Sequence, residues 1–340
     1  AERQARALST LNLTHPIGTA FEYSNLNYNL LGLIIETASG EAYADYIQHH
    51  LFTPLGMSHS YTSQARAKQD GLALGHRYWF ARPFAIPNLA LPRGSLPAGQ
   101  LISSAEDMAH YLIAHLNGGR YGDVHILSPA DIDELHRGVA EYRAMGMTVG
   151  KYGMGWFFSD DAQTKIIWHG GNVPDFSSFM ALLPEQKTGV VLLVNADHYG
   201  LPPVLAEVGL GVAALLAGRQ PAPIKLGFIP WAMRALLLVP LLQIAGVLAT
   251  LRLLRDWRRD AEHRPSGARL WGRHILLPLI PNVSLVALPI FLQIRRMLRY
   301  LMLYMPDVAW IAIIGGGFAG IWSLLRTGLI LRSLRKSATN

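Results

Sequence analysis

Three long apolar stretches in the last third of this 340-residue chain constrain its fold more than any other feature. Residues 227–250 (GFIPWAMRALLLVPLLQIAGVLAT) hold one charge, Arg234, in 24 positions. As a helix they reach about 36 Å, enough for a hydrocarbon core of about 30 Å. Residues 275–294 carry no charge but contain Pro278, Pro281 and Pro289. Prolines at that density break a soluble helix and are tolerated in a membrane span. Residues 308–325 form the third stretch. Its Gly315–Gly317 run predicts close helix packing rather than phosphate binding, since no strand precedes it and no Lys-Ser/Thr follows.

The charges give these stretches a direction. Residues 1–225 hold 15 Lys+Arg against 19 Asp+Glu, whereas residues 226–340 hold 15 against 4, so the net +7 belongs to the apolar tail. A basic tail that is also apolar points to a lipid bilayer and away from nucleic acid. Seven Arg lie in 251–274, three in 295–307, and four Lys+Arg follow Leu325. By the positive-inside rule the first loop and the C-terminus are cytoplasmic, and residues 1–225 lie outside the cytoplasm. The RRMLRYLMLYM stretch (295–305) either lies in the interface or lengthens the second span. Arg234 is expected to snorkel to the outer interface. The expected division is 1–222 as a polar domain and 223–340 as an all-helical membrane region of about three spans.

Within the polar part, residues 27–39 have apolar spacing for a buried helix stopped at Ser39-Gly40. A second helix follows over 41–57, broken by Pro54 and Gly56. Residues 103–119 are punctuated by Ser103/Ser104, acids in the first turn and Gly118-Gly119 after the end. Residues 62–100 and 138–152 read as pocket loops. From Gly153 the period changes: 155–159, 165–171, 176–183 and 190–196 are strand candidates forming an antiparallel meander, with a covering helix over 203–218. Helices first and an antiparallel sheet last make an α+β class. The absence of cysteine excludes disulfides, thiol catalysis and Cys-ligated metals. His49-His50 lacks the HExxH spacing and a nearby carboxylate pattern, so no metal site is expected.

The stretches YSNLNYNLLGLIIETASG, FTPLGMSHS, AGQLISSAEDMAHYL, YGMGW and HGGNVPDFSSFMALLPE, with VVLLVNAD, occur in one order over residues 13–218. Together they resemble the serine β-lactamase/penicillin-binding-protein-like hydrolases, in the class C β-lactamase, D-Ala-D-Ala peptidase and esterase branch. That resemblance implies a β-lactamase/transpeptidase-like fold, incomplete at the N-terminus, and no cofactor. The family uses a Ser-x-x-Lys nucleophile, a Tyr-x-Asn, and a Lys-Thr-Gly or His-x-Gly on a strand. A serine hydroxyl is a weak nucleophile until a neighbouring base takes its proton, which is the task of the Lys and the Tyr. Tyr23-Ser24-Asn25 resembles the second element, with Tyr23 as base and Asn25 orienting the Lys and the substrate amide. His169-Gly170-Gly171 resembles the third, with small residues where substrate lies against the strand. Asn172 follows where the family places an oxyanion-hole N–H. A histidine in this place makes the wall charge depend on pH near neutrality.

The first element is missing from the 22 residues ahead of Tyr23. The base should therefore serve a serine that lies before Ala1 or has been lost, and this chain alone is expected to be inactive. Two literal matches are decoys. Ser333–Lys336 (SLRK) lies past the third stretch and reads as a basic membrane flank. Lys187-Thr188-Gly189 reads as a hairpin turn. Tyr28, at helical spacing from Leu31, reads as core.

The resemblance implies a serine hydrolase forming an acyl-enzyme on an amide or ester, and the apolar spans with their arginine asymmetry make it membrane-anchored and acting outside the cytoplasm. Peptidoglycan-like peptides, esters and β-lactams are its candidate substrates. The rival reading is a non-catalytic ligand-binding or sensing module on the same fold with a membrane anchor. A weaker rival is a transporter accessory protein, for which only Arg234, Asn282 and Ser284 supply polar groups within the spans.

Overall fold

The structure, a computed structural model, describes residues 6, 12, 14–16, 18–87, 95–144, 147–159, 164–198, 204–224, 228–260 and 265–335. The chain forms two compact units. The first takes in residues 1–76, 85–197 and 203–225; the second takes in 77–84, 198–202 and 226–340.

In the first unit, helix α1 (Asn25–Ser39) is stopped by Gly40, whose left-handed backbone (φ 73°) lets its N–H donate to the Glu36 carbonyl. Helix α2 (Tyr43–Ile47) runs on as a π-helical turn, Gln48–Phe52, and ends in turns before Gly56 and Met57. Helix α3 (Ala105–Leu116) starts where the Ser104 side chain accepts a hydrogen bond from Asp107 N. Ser128 and Asp131 close a reciprocal cap on α4 (Pro129–Leu135).

The strand candidates become a six-stranded antiparallel meander. In chain order, after the hairpin β1 (Gly75–Trp79) and β2 (Arg82–Ile86) and the short pair β3 (Arg120–Tyr121) and β4 (Val124–His125), come β5 (Ala140–Ala144), β6 (Met147–Tyr152), β7 (Phe157–Ser159), β8 (Ile167–Val173), β9 (Phe176–Leu183) and β10 (Thr188–Val194). The sheet order is β10-β9-β8-β7-β6-β5. Two of these strands, β5 and β6, come from a segment read as a loop. Their alternation is interrupted by a register shift at Tyr142/Arg143, which hides a period of two from a linear reading. The expected loop over 62–100 likewise contains β1 and β2. Pro83 inside β2 lacks a ladder N–H and blurs the strand signal.

Both faces of the meander are covered. Side chains alternate along a strand. Phe179, Ala181 and Leu183 therefore pack with Ile166 and Val190 under α5 (Val204–Leu216), in a cluster with Ala213. From the other face Leu182 and Ile167 join Leu112 of α3 with Trp156 and Phe158. This double burial explains why β9 reads as a nearly continuous apolar run.

Among the described residues of the second unit, three helices are long and apolar enough to cross a membrane: Pro230–Arg259, Gly267–Ile294 and Pro306–Leu334. The first comprises α6 (Ile229–Ala235) and α7 (Leu238–Arg259). Gly227, the expected start of this span, lies outside the described residues. Arg234 is exposed and its guanidinium lies over the Trp231 ring at 5.3 Å. A π-helical segment, Leu270–Leu276, leads into α8 (Leu277–Ile294), which carries Pro281 and Pro289. The 295–305 stretch does not lengthen that helix. Arg296 takes a left-handed conformation (φ 56°), and a separate α9 (Met297–Tyr304) follows.

The glycines of α10 (Pro306–Arg335) allow close approach at one defined point. Pro289 has no N–H for the Leu285 carbonyl one turn earlier. A Cβ on Gly316 would stand 2.6 Å from that carbonyl oxygen and 3.0 Å from Pro289 Cγ. Arg326, counted by sequence with the basic flank, instead lies buried within the third long helix.

Candidate active site

Two elements bring the predicted residues together. Ser24 caps α1 with extended backbone (φ −142°, ψ 114°), so the chain enters the helix directly after Tyr23. His169 lies on β8 opposite Met180 of β9. Although 146 positions separate them, the Tyr23 and His169 rings have centroids 6.2 Å apart with planes tilted by 36°. Tyr23 is 45% exposed and His169 half-buried, so one ring opens to solvent and the other backs it.

A third aromatic residue completes this arrangement. Tyr152 of β6 meets Tyr23 edge-on at 6.0 Å and lies 6.4 Å from His169. Its hydroxyl shares a 2.7 Å hydrogen bond with that of Tyr28 in α1. Phe157 of β7 supports His169 at 5.4 Å, and Phe21 packs on Tyr152 at 4.7 Å. Tyr28 is thus half-buried and held by its hydroxyl as well as by its ring. Tyr152 opens the YGMGW stretch, yet no role was assigned to it. An aromatic residue directly before a Gly-x-Gly turn was the available signal.

Burial holds the His169 imidazole below its ordinary value, and a hydrogen bond to the Gly170 backbone opposes this. The ring is therefore neutral at pH 7, and its change of charge lies on the acid side of the neutral range expected from the residue type. For Tyr152, burial comes first and the Tyr28 hydroxyl second in raising the phenol well above its ordinary value. It remains a hydrogen-bonding phenol.

The glycines differ. At Gly171 a Cβ would stand 2.6 Å from Ser178 Oγ, whereas at Gly170 the nearest atom would be 3.7 Å away. A side chain at Gly171 therefore requires the Ser178 hydroxyl to rotate away, whereas one at Gly170 meets only ordinary contacts. Asn25 is the exposed first residue of α1. Asn172 is exposed, and its amide donates to Asp197 Oδ1 at 2.7 Å.

Neither literal decoy joins this cluster. Lys187 has left-handed backbone (φ 49°) in the turn between β9 and β10, and Thr188 pairs with Leu183. His169 faces Met180, which faces Val191. By sheet spacing, Lys187 lies two strands across and about 13 Å along from His169. Ser333 Oγ donates to the Ile330 carbonyl near the end of α10, and Lys336 lies outside the described residues.

The histidine pair His49-His50 does have a carboxylate neighbour. Glu41 accepts from or faces both rings, at 2.9 and 3.0 Å, a proximity eight and nine residues of separation did not reveal. Among the described residues, no group of three or more His, Asp or Glu is arranged to hold a metal ion.

The cluster can accept and donate protons through a solvent-facing phenol backed by a neutral imidazole. The sole Ser-x-x-Lys in the sequence is the one at the C-terminal end. Comparison with known proteins gives this chemistry a context. A family model described as Beta-lactamase matches residues 2–213. The chain is 30% identical over 209 residues to Protein flp of Staphylococcus aureus, covering 60% of this chain and 39% of that protein. It is also 30% identical over 201 residues to the unguisins hydrolase ungD' of Aspergillus campestris, covering 57% of this chain and 36% of that one. The chain thus spans less than two fifths of the length of these curated relatives. Among solved structures, the octameric penicillin-binding protein homologue from Pyrococcus abyssi is similar at a TM-score of 0.55 and 29% identity, over 69% of this chain and 51% of that chain.

Proposed function

Because this chain belongs to the beta-lactamase family, we propose that it forms part of a membrane-anchored serine hydrolase acting through an acyl-enzyme on an amide or ester. The fold is beta-lactamase/transpeptidase-like, and three long apolar helices follow it. The observation that carries the reading is the meeting of the Tyr23 and His169 rings at 6.2 Å, from elements 146 positions apart in sequence. In this reading Tyr23 takes the proton of the attacking serine. Asn25 orients the substrate amide, and His169 forms the opposite wall. Gly170 and Gly171 leave the strand bare for substrate, and the Asn172 N–H faces the developing oxyanion.

The serine belongs to a Ser-x-x-Lys element N-terminal to Tyr23. Residues 1–222 form the hydrolase domain and 223–340 the membrane region. The arginines of 251–274 and the basic C-terminal end support a multi-pass arrangement with the C-terminus cytoplasmic and the hydrolase domain outside. Substrates of this class are small molecules or peptides: peptidoglycan-like peptides, esters and β-lactams.

The test extends the chain upstream to include such an element and treats it with a fluorescent penicillin or an activated ester. Mass spectrometry should locate the acyl group on that serine, and residues 1–340 alone should remain unlabelled. Labelling of residues 1–340 alone would contradict the assignment. Failure of the extended protein to acylate with any probe would favour a ligand-binding module on the same fold. A reporter fused after Asn340 tests the orientation independently; activity only outside the cytoplasm would reverse it.

A further inference from the structure

The second unit contains a cavity of about 920 Å³ lined by all three long helices, with Gly246 and Thr250 from the first, Asn282 and Leu285 from the second, and Trp322 and Arg326 from the third. That volume lies in the upper part of the range for ligand pockets, roughly 300–1,000 Å³. Its shape is a slot. Along the first helix the lining runs from Val239 to Leu253, about 21 Å of helical rise. Such a length suits an extended hydrocarbon chain better than a compact solute.

One end of the slot carries a charge. Arg326 is 9% exposed. Its Nε donates to Thr250 Oγ1 at 3.1 Å and its Nη1 to the His274 carbonyl at 2.5 Å, both uncharged partners. No ion pair joins it to a carboxylate among the described residues. A guanidinium has five donors, so these two bonds leave others for an anion. An arginine within the hydrocarbon is costly to place, and ionisable residues inside spans mark functional sites. The depth is also informative. Arg326 lies eight residues before Leu334, in a 29-residue span. If that span is centred on a core of about 30 Å, the residue sits roughly 5 Å inside the hydrocarbon boundary, within reach of a lipid phosphate.

We propose that this slot binds an anionic glycerophospholipid, with one acyl chain along the helices and its phosphate on the Arg326 guanidinium. The proposal rests on the membrane reading above. It also gives the three helices a recognition role beyond anchoring, of the kind basic pockets between spans perform.

Native mass spectrometry and thermal unfolding of the full chain, released from bilayers into detergent, provide the test. Phosphatidylglycerol should be retained about tenfold better than phosphatidylcholine of the same chain length, as one charged hydrogen-bonded contact would give. Arg326→Gln should abolish that preference and the rise in Tm on adding phosphatidylglycerol, and Arg326→Lys should keep part of both. Gly246→Leu places its side chain where a Cβ meets nothing within 4 Å. It should lower phosphatidylglycerol occupancy in a folded protein. Arg258→Gln, on the exposed side of α7, should leave the preference intact. Equal retention of both lipids would overturn the proposal, as would a preference that survives Arg326→Gln or a phosphatidylglycerol occupancy unchanged by Gly246→Leu. Release of the chain from membranes by alkaline carbonate would overturn the membrane reading as well.

Discussion

The hydroxyls of Tyr28 and Tyr152, 124 residues apart, share a 2.7 Å hydrogen bond that joins α1 to the sheet beside the Tyr23–His169 ring pair. Either single change to phenylalanine leaves a half-buried hydroxyl without its partner, at a cost of about 1–3 kcal/mol. Removing both hydroxyls should cost less than the two single changes together, because neither partner is then stranded. Denaturant unfolding of Tyr28→Phe, Tyr152→Phe and the double variant checks this. Strict additivity would show that the bond contributes nothing.

A second pair predicts acid sensitivity. His115 Nδ1 and His136 Nε2 are 3.1 Å apart, with both rings against Trp156. Burial, and then His136, lower His115 to about 3. Burial and then Lys165 lower His136 to about 4, against the opposing pull of Asp133. In the unfolded chain both titrate near 6.5. Between those limits the unfolded chain binds more protons than the folded one. Stability should therefore be complete above about pH 7 and fall as pH drops through 6.5 toward 4. Tm measured across that window should show the fall, and His115→Gln/His136→Gln should reduce its slope. An unchanged slope in the double variant would assign the acid sensitivity elsewhere.

Helix packing in the second unit predicts a contrast between adjacent glycines. Gly316→Ala would place a methyl 2.6 Å from the Leu285 carbonyl oxygen, whereas at Gly317 a Cβ meets nothing within 4 Å. Overpacking of this kind costs about 1–3 kcal/mol. Thermal unfolding in detergent should show a lower Tm for Gly316→Ala and little change for Gly317→Ala. Equal effects would mean that helix propensity, not contact, decides.

Asp307 should be among the most sensitive positions of that unit. It is fully buried, with Oδ1 3.1 Å from His198 Nε2 and accepting from Val308 N, while Oδ2 accepts from Phe80 N at 2.9 Å. Asp307→Ala removes the acceptor that all three contacts share. Loss of a buried hydrogen-bond acceptor of this kind costs roughly 1–3 kcal/mol. Asp307→Asn, which keeps an acceptor, should lose less. Comparable Tm values for the alanine variant and the unchanged protein would contradict this.

What could be read along the chain followed from clear periodicity. The helices at Asn25–Ser39 and Ala105–Leu116, the meander after Phe157, and the three long apolar helices were all legible from apolar spacing and caps. The β5–β6 hairpin was not, because the register shift at Tyr142/Arg143 breaks the alternation. Tyr23 and His169 were singled out by motif, but Tyr152 was missed because its partners come from α1 and β8, far away in sequence. Arg326 stands one residue past the apolar window. Only the folded helices show that Thr250 and the His274 carbonyl surround it.

The most direct test of the central claim is the acylation rate of the protein extended upstream to include the proposed Ser-x-x-Lys element. Tyr23→Phe should slow acylation about 10²–10⁴-fold, as expected for loss of a positioned base. Lys187→Ala, at a surface turn, should change it by less than about twofold. An unaltered rate in Tyr23→Phe, or a loss in Lys187→Ala comparable to that predicted for Tyr23, would contradict the account.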